Sequence, residues 1–245
     1  MTDHLRPCAP IAPDALLPGD PGRALALAQD LLQAPRMANH ARGLWGYSGA
    51  TATGSKLTIQ ATGVGGPSVA VVLTELASLG VRRAIRIGTC RALAPGLEPG
   101  DLLAVATAIG ADGTSAALGA EAPLRPDRAL AEALLAGPAA LRSATVVSAD
   151  LYYDPGASDR DRDWLQAGAQ AVDLGTASAL ALGARPGLAI ACGLVVARAA
   201  DGRALADDEV EAASIELARA GAAALALPPA PDSAQPPASG TVRLP

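Results

Sequence analysis

The strongest constraint on this sequence is a regular alternation of short apolar runs with segments whose apolar residues recur at helical spacing. The predicted strands are residues 15–17, 44–51, 56–62, 84–87, 102–108, 144–147, 170–174 and 188–196. The predicted helices are residues 21–32, 69–79, 128–135, 159–167, 176–182 and 207–225. This alternation predicts an α/β fold with a central mixed β-sheet flanked by helices. The hairpin turn at residues 52–55 excludes a purely parallel sheet.

Composition excludes several classes of protein. The 245 residues carry a formal net charge of −5 and only 2% are aromatic, so the chain lacks the basic surface and stacking platforms of a nucleic-acid binder. Half of the residues are hydrophobic, which excludes disorder of the whole chain. Three widely spaced cysteines form no disulfide framework, and neither a signal peptide nor an apolar run of about 20 residues is evident. We therefore expect a cytoplasmic protein that binds neither nucleic acid nor membrane.

The familiar cofactor and metal motifs fail on spacing. Residues 49–56 resemble a P-loop, but the lysine follows the serine and no helix is predicted after it. Residues 63–68 lack the third glycine of a dinucleotide-binding fingerprint. The chain has two histidines and no pair of cysteines separated by two residues, so a structural zinc site is not expected. We predict no metal and no organic cofactor.

Glycine-rich turns follow three of the predicted strands, and two of these turns carry an arginine. Gly19 lies four residues before Arg23, and Arg86 lies just before Gly88 and Thr89. Free backbone amides at such turns converge on anions, and arginine binds phosphate through parallel hydrogen bonds. Together these features predict a phosphate site, although an arginine at a strand end is more often a salt-bridge partner.

The amino-acid sequences and the order of these segments resemble those of the nucleoside phosphorylase family. The resemblance is to the hexameric branch in particular, which contains uridine phosphorylase and bacterial-type purine nucleoside phosphorylase. The matching segments are residues 16–23, 61–68, 75–81, 85–90, 112–115, 148–153 and 192–198. The resemblance covers residues 4–227 and implies a three-layer phosphorylase-type fold in a single domain, residues 1–227. It also implies a homohexamer built as a trimer of dimers. Composition predicts that the Pro/Ala/Ser-rich tail, residues 228–245, is disordered.

The family performs reversible phosphorolysis, in which a nucleoside and inorganic phosphate, the co-substrate, give a free base and a pentose 1-phosphate. Phosphate attacks the anomeric carbon, so the protein needs no nucleophile but must hold an anion, orient the sugar and stabilise the leaving base. The resemblance implies catalytic roles for Arg86 and Arg198. The implied phosphate-binding residues are Gly19, Arg23, Arg42, Arg86 and Thr89. The implied nucleoside-binding residues are His4, Cys90, Arg91, Tyr152, Asp173, Leu174, Gly175 and Arg198.

Two of these residues are implied to act on a neighbouring subunit. Arg42 resembles the arginine that the family lends to the neighbour's phosphate. His4 resembles the histidine that reaches across a dimer to the ribose 5′-hydroxyl, and a mobile terminus is its alternative interpretation. Tyr152 stands where the family places an aromatic ring over sugar and base, with simple core packing as the alternative.

The sugar-binding signature departs from the family pattern. Where the family has Glu-Met-Glu, this chain has Asp173, Leu174 and Gly175, so the glutamate that accepts hydrogen bonds from the ribose hydroxyls is missing. A charge-assisted hydrogen bond of this kind contributes roughly 1.5–3 kcal/mol. We hypothesise that Asp173 substitutes in part, because residues two apart in a strand share a face.

The base-binding positions depart as well. Arg91 replaces a glycine of the family, and its guanidinium either fills the base pocket, binds an additional anion or points to solvent. Arg198 lies near the position where the purine branch has an aspartate, and an arginine there is closer to the uridine branch. Residues 154–158 lack the glutamine and arginine that the uridine branch supplies after its aromatic residue, so neither base specificity is complete.

The sequence therefore predicts phosphorolysis of a nucleoside, and Arg198 favours a pyrimidine of the uridine type. Two alternatives remain open. The first is a catalytically impaired relative that binds an anion or a nucleotide-like ligand, and the second is a phosphorylase for a deoxy or modified nucleoside. A hydrolytic nucleosidase is disfavoured, because it has no use for Arg23 and Arg86 at a phosphate site.

Overall fold

The computed structural model describes residues 2–121, 123–154 and 156–229. The strands are β1 (Asp14–Pro18), β2 (Gln33–Asn39), β3 (Gly46–Ala50), β4 (Lys56–Gln60), β5 (Arg83–Ala92), β6 (Leu102–Ala111), β7 (Leu141–Ala149), β8 (Ala171–Asp173) and β9 (Ala189–Arg198). The α-helices are α1 (Pro21–Leu31), α2 (Gly65–Ser78), α3 (Gly113–Ala117), α4 (Arg128–Leu135), α5 (Ala157–Gln166), α6 (Thr176–Gly183) and α7 (Asp207–Ala226). A single turn of 3₁₀ helix, Ala41–Gly43, lies between β2 and β3.

The strands form one mixed sheet in the order β2, β3, β4, β1, β5, β8, β7, β6, β9. β1 runs parallel to β4 and β5, and β5 runs parallel to β9. β9 also pairs with β6, so β5, β8, β7, β6 and β9 close into a ring. The predicted hairpin is present as the antiparallel pair β3–β4. The carboxyl ends of β1, β4, β5 and β9 consequently lie at one edge of the sheet.

Two apolar clusters cover the two faces of the sheet. Successive side chains of β1 point to opposite faces, so Leu17 enters one cluster and Leu16 the other. Leu17 shares its cluster with Leu73 of α2 and Leu180 of α6. Leu16 shares its cluster with Leu217 of α7, and α1 and α4 lie on the same side. Helices on both faces of a mixed sheet confirm the predicted α/β fold.

The start of α1 shows how the sequence sets a helix at the edge of the sheet. The Asp20 carboxylate accepts a hydrogen bond from the Arg23 amide at 2.8 Å, and Pro21 occupies the first helical position. An aspartate cap satisfies an amide that has no partner inside the helix, and proline lacks that amide altogether. Asp20 followed by Pro21 is a pattern typical of a helix start, and the cap fixes where Arg23 lies.

Two strands differ from their predictions. β2 was not predicted, because residues 33–37 are exposed at the sheet edge and show no alternation of apolar and polar residues. β5 was predicted to end at residue 87 but continues to Ala92. Cys90 pairs with Val196 of β9 and Arg91 with Val172 of β8. Neighbours on both sides extend the strand, so Gly88 and Thr89 lie within it rather than in a turn.

In the ranges 2–121, 123–154 and 156–229, no helix is both long and apolar enough to cross a membrane. In the same ranges, no three side chains of His, Cys, Asp or Glu cluster closely enough to hold a metal ion. The tail predicted for residues 228–245 lies outside the described residues from residue 230 onward, so its disorder stays a prediction.

Candidate active site

A cleft of about 1020 Å³ opens at the sheet edge where the carboxyl ends of β1, β4, β5 and β9 meet. We call one side the glycine end, lined by Gly19, Arg23, Gly63, Gly65 and Arg86, and the other the tyrosine end, lined by Arg91, Tyr152, Tyr153, Asp161 and Arg198. The predicted site residues found in its walls are Gly19, Arg23, Arg86, Thr89, Cys90, Arg91, Tyr152, Asp173, Leu174 and Arg198.

Arg86 lies in the floor of the glycine end and is 8% exposed. Its Nη1 donates to Thr176 Oγ1 at 3.3 Å and lies 3.1 Å from Asp173 Oδ2. Its buried Nε has no hydrogen-bond partner among the described residues. A Cβ at Gly88 would lie 1.9 Å from Nη1, so the guanidinium fills the space that a side chain there would need. A buried donor without a partner is expected to take up an acceptor from a ligand.

The Asp173 carboxylate is fully buried and fully engaged. Oδ1 accepts from Ser148 Oγ at 2.5 Å and from the Thr176 amide at 3.2 Å. Oδ2 accepts from Thr176 Oγ1 at 2.7 Å and from the Gly175 amide at 3.2 Å. With Arg86, these contacts use the roughly four acceptor positions of a carboxylate. Asp173 therefore holds the start of α6 and neutralises Arg86, and the hypothesis that it replaces the missing sugar-binding glutamate does not fit this geometry.

Gly175 lies beside Arg86, and the structure does not place it in the cleft wall. A Cβ at Gly175 would lie 3.0 Å from Val69 Cγ2 and 3.4 Å from Arg86 Nη2. A Cβ here would crowd Val69 and lie in ordinary van der Waals contact with the guanidinium. This chain therefore has a glycine packed beside Val69 and Arg86 at the position where the resemblance implied sugar binding.

Arg23 is the second cation of the glycine end. Burial lowers the pKa of Arg23, Asp20 counteracts this, and the positive charge of Arg86 lowers the pKa further. Its Nη1 is buried without a hydrogen-bond partner in the described part of the chain. Two neighbouring guanidinium groups with unused donors form a site for an anion that can accept several hydrogen bonds.

Backbone glycines complete this end. The Gly63 amide donates to the Gly19 carbonyl at 3.0 Å, and a Cβ at Gly19 would lie 3.4 Å from Gly63 O. Gly65 has φ of +80° and is the first residue of the 14-residue helix α2. Because the first amides of a helix lack intrahelical partners and carry partial positive charge, α2 adds to the attraction for an anion.

The tyrosine end is exposed. Tyr152 is 68% and Tyr153 is 88% exposed, and their ring centroids lie 4.9 Å apart in an edge-to-face arrangement. This exposure excludes core packing as the explanation of Tyr152. The rings offer an apolar surface at the cleft mouth that a planar base or a sugar can cover.

Two arginines lie in register at this end, Arg91 on β5 and Arg198 on β9. Arg91 Nη1 and Nη2 donate to the Asp161 carboxylate of α5 at 2.8 and 2.9 Å. The Arg91 guanidinium therefore lies in the cleft wall, paired with Asp161, which is none of the three arrangements predicted for it. Arg198 Nη1 donates to the Gly202 carbonyl at 3.0 Å, and Arg198 has no carboxylate partner within the described ranges.

Cys90 contributes a neutral wall between the two ends. The thiol is 5% exposed, and Sγ lies 3.6 Å from the Val195 carbonyl. Burial raises the pKa of the Cys90 thiol far above its usual range, and the charge of Asp173 adds to this rise. The side chain is consequently a packing group rather than a nucleophile.

The structure does not bring Arg42 and His4 into the cleft. Arg42 is exposed in the 3₁₀ turn, with φ of +57°. His4 Nδ1 lies 2.9 Å from Glu75 Oε1 of α2, and the same carboxylate accepts the amides of Asp3 and Leu5 at 3.0 and 2.6 Å. The N-terminal segment is thus held in place, contrary to the alternative of a mobile terminus for His4.

The sequence model of the phosphorylase superfamily matches residues 13–227. The chain belongs to this superfamily. A purine nucleoside phosphorylase of the DeoD type from Geobacillus kaustophilus is 34% identical over 185 residues, which are 72% of this chain and 77% of that relative. The corresponding protein from Clostridium novyi is 31% identical over 187 residues, 73% of this chain and 78% of the relative. One from Oceanobacillus iheyensis is 40% identical, but the match spans only 38% of this chain and 40% of that relative.

These matches confirm the predicted nucleoside phosphorylase family and support the predicted enzyme class. The relatives are named for purine nucleosides, so a uridine-like preference is not confirmed.

The sequence analysis did not predict that one face of helix α5 lines the cleft of this phosphorylase superfamily member. Residues 159–163 alternate aspartate and arginine, a pattern typical of a solvated helix start, whereas Asp161 lies in the cleft wall with Trp164. Residues three apart share a helix face. Trp164, a large aromatic residue on an otherwise polar helix, was the available signal that this face turns inward.

Proposed function

We propose that this protein catalyses the phosphorolysis of a nucleoside. The observation that carries the proposal is the glycine end of the cleft, where Arg23 and Arg86 both have a buried donor without a partner among the described residues. Family membership supports a phosphate oxyanion as the ligand of these donors. Tyr152 and Arg198 line the other end, where a nucleoside would lie.

The proposed reaction uses phosphate itself as the nucleophile. A phosphate oxygen forms a bond to the anomeric carbon of the sugar, and the glycosidic bond to the base nitrogen breaks. The bonding electrons leave with the base, and the proton that hydrogen phosphate gives up ends on the base. Arg23 and Arg86 hold the phosphate in position and partly desolvated, so the main contributions of the protein are orientation and charge stabilisation.

For the base, we propose one with a carbonyl facing Arg198. A guanidinium only donates hydrogen bonds, so it fits a carbonyl oxygen and cannot accept from the exocyclic amine of adenine or cytosine. The relatives are named purine nucleoside phosphorylases. The first candidate for the base is therefore a 6-oxopurine such as the base of inosine. Uracil, the base of uridine, also carries carbonyl groups and is the second candidate. Arg198 is the residue that favours it.

For the sugar, we propose that the 2′-hydroxyl contributes little. The carboxylates nearest the tyrosine end are already paired, Asp161 with Arg91 and Asp154 with Arg160. Asp173 is saturated by its own contacts. We therefore expect 2′-deoxynucleosides to react at a rate similar to that of ribonucleosides.

The test is base release from inosine, guanosine, adenosine, uridine, cytidine and 2′-deoxyinosine, followed by chromatography with and without phosphate. The proposal expects release that requires phosphate, favours inosine over adenosine, and differs little between inosine and deoxyinosine. If the base were released equally fast without phosphate, the reaction would be hydrolysis rather than phosphorolysis. Preference for adenosine would overturn the role given to Arg198.

A second candidate is an anion-binding protein with impaired catalysis, which the loss of a carboxylate at Gly175 favours. Calorimetric binding of phosphate without release of any base would support it.

We also propose that Arg42 and His4 serve the site of a neighbouring copy, because both lie outside the cleft of their own chain. Sedimentation velocity tests the hexamer that this requires, and a monomer would contradict it.

A further inference from the structure

Helix α5 borders the cleft but has little of its own to hold it there. None of its residues is buried, and its sequence is rich in alternating Asp and Arg. Trp164, near its carboxyl end, packs against the small cluster of Leu93, Val147 and Ala169. The amino-terminal half of α5 therefore needs another attachment to the sheet.

Most ion pairs of α5 stay within the helix or its preceding loop. Arg162 pairs with Asp159 on the same exposed face, and Arg160 pairs with Asp154 just before the helix. Asp161 is different, because its partner Arg91 belongs to β5 in the central sheet. Among the described side chains of α5, this pair is the ion pair that crosses to another element.

The geometry of this pair is that of a fixed contact. Both terminal nitrogens of Arg91 donate to the two oxygens of Asp161, at 2.8 and 2.9 Å, and both side chains are mostly shielded from solvent. Bidentate pairs of this kind fix orientation as well as distance. Arg198, in register with Arg91, adds a like charge nearby that Asp161 helps to offset.

The pair also bears on the tyrosine loop, residues 150–154, which enters α5. Asp154 accepts a hydrogen bond from the Gly156 amide at 2.9 Å and pairs with Arg160, so the loop and the start of the helix are tied together. Tyr152 and Tyr153 lie on this loop and are exposed. Whatever holds the start of α5 therefore sets where these rings lie over the cleft.

We propose that Arg91 and Asp161 are positioning residues, whose ion pair holds the amino-terminal half of α5 and the tyrosine loop over the tyrosine end of the cleft. The pair acts through Tyr152 on the nucleoside and leaves the phosphate contacts of the glycine end unchanged. This inference rests on the proposed function for its effect on substrate, but the structural part of it stands apart from any activity.

The first experiment is charge exchange. Arg91→Asp and Asp161→Arg are made singly and together, and KM is measured separately for the best nucleoside of the panel and for phosphate. Each single variant should raise the nucleoside KM by about tenfold, equivalent to about 1.4 kcal/mol of binding, with little change in the phosphate KM. The double variant should recover most of the loss, because the pair is restored with its charges reversed.

The second experiment needs no activity. Hydrogen exchange of peptides from residues 150–166 is followed by mass spectrometry in the wild type, the three variants and Arg162→Ala, which breaks only the Arg162–Asp159 pair within α5. The single variants should exchange faster in this region alone, and the double variant and Arg162→Ala should match the wild type. In about 1 M NaCl, where the Debye length is about 3 Å, the wild type should also exchange faster there.

The outcomes separate the two proposals. Unchanged exchange in both single variants, or a double variant no slower in exchange than the singles, overturns the positioning role whatever the activity. Faster exchange in a protein that releases no base from any nucleoside would retain the role of the pair and reject the proposed function. If a single variant fails to fold, the salt dependence of the wild type decides, and exchange independent of salt counts against the pair.

Discussion

The two ends of the cleft are built on opposite principles. At the glycine end, Arg86 is buried in the sheet and held by Asp173 and Thr176, and Gly88 leaves the space it occupies. At the tyrosine end, exposed rings lie on a loop that enters a helix without a buried residue. The sheet thus fixes the anion site before any ligand arrives, whereas the nucleoside side depends on a few surface contacts. Changes at the first end should therefore cost more than changes at the second.

The largest effect is expected for Arg86→Ala. It removes a phosphate donor and leaves the buried Asp173 carboxylate without its cation. Breaking a buried pair costs about 3 kcal/mol or more, which lowers Tm by roughly 6–12 °C in a domain of this size. We expect kcat/KM for phosphate to fall at least about a thousandfold, since orientation and charge stabilisation are both lost.

The control for this variant is Arg128→Ala, which removes an exposed arginine on α4 that does not line the cleft. Kinetics and a thermal melt are measured for both. Arg86→Ala with wild-type phosphate KM and kcat would show that the glycine end is not the phosphate site.

Gly88→Ala should have the next largest effect. The added Cβ would lie 1.9 Å from Arg86 Nη1 and 2.6 Å from Leu194 Cδ2, so the guanidinium must move. A displacement of about 1 Å at a catalytic group can cost on the order of a hundredfold in rate. Gly113→Ala is the matched control, because its Cβ would meet only Asp150 Oδ2, at an ordinary 3.6 Å. Steady-state assays in which both variants behave alike would contradict the tight fit described here.

At the other end, Tyr152→Leu should raise the nucleoside KM by only about two- to tenfold and leave the phosphate KM unchanged. The ring supplies apolar contact rather than charge, and its removal leaves no buried group unpaired. Tyr153→Leu should have a smaller effect, because that ring is 88% exposed. Initial rates at varied concentrations of nucleoside and phosphate test this prediction. A larger change in the phosphate KM than in the nucleoside KM would contradict the assignment of the two ends.

The fold was accessible from the sequence where local signals were strong. The Asp20 cap, the β3–β4 hairpin and the bounds of Arg128–Leu135 all follow from side-chain chemistry within a few residues. The edge strand β2 was not accessible, because an exposed strand needs no apolar alternation. The extension of β5 to Ala92 depends on partners 79 to 107 residues away in the chain, which no local pattern records.

The site divides in the same way. The cluster of Gly19, Arg23 and Arg86 follows from glycine-rich strand ends, since parallel strands bring those ends to one edge. Two features required the structure: the saturation of Asp173 and the pairing of Arg91 with Asp161. Both depend on which side chains face each other across elements distant in sequence, and nothing in the spacing of Asp159 to Asp163 distinguishes Asp161, whose partner lies on another element.

The smallest effect is expected for the reactivity of the thiols, of which Cys90 lies between the two ends. Burial raises the pKa of Cys192 to about 12, and it raises that of Cys90 further, whereas Cys8 is exposed. At pH 8 the buried thiols stay protonated, and the thiolate is the reactive form. Ellman's reagent should titrate one thiol per native chain and three in guanidinium chloride, and Cys8→Ser should remove the native reaction. The contrary result would be a second thiol that reacts rapidly in the native chain, with added phosphate failing to slow that reaction. Such a result would mean that the wall at Cys90 opens and that the glycine end is less fixed than its buried contacts require.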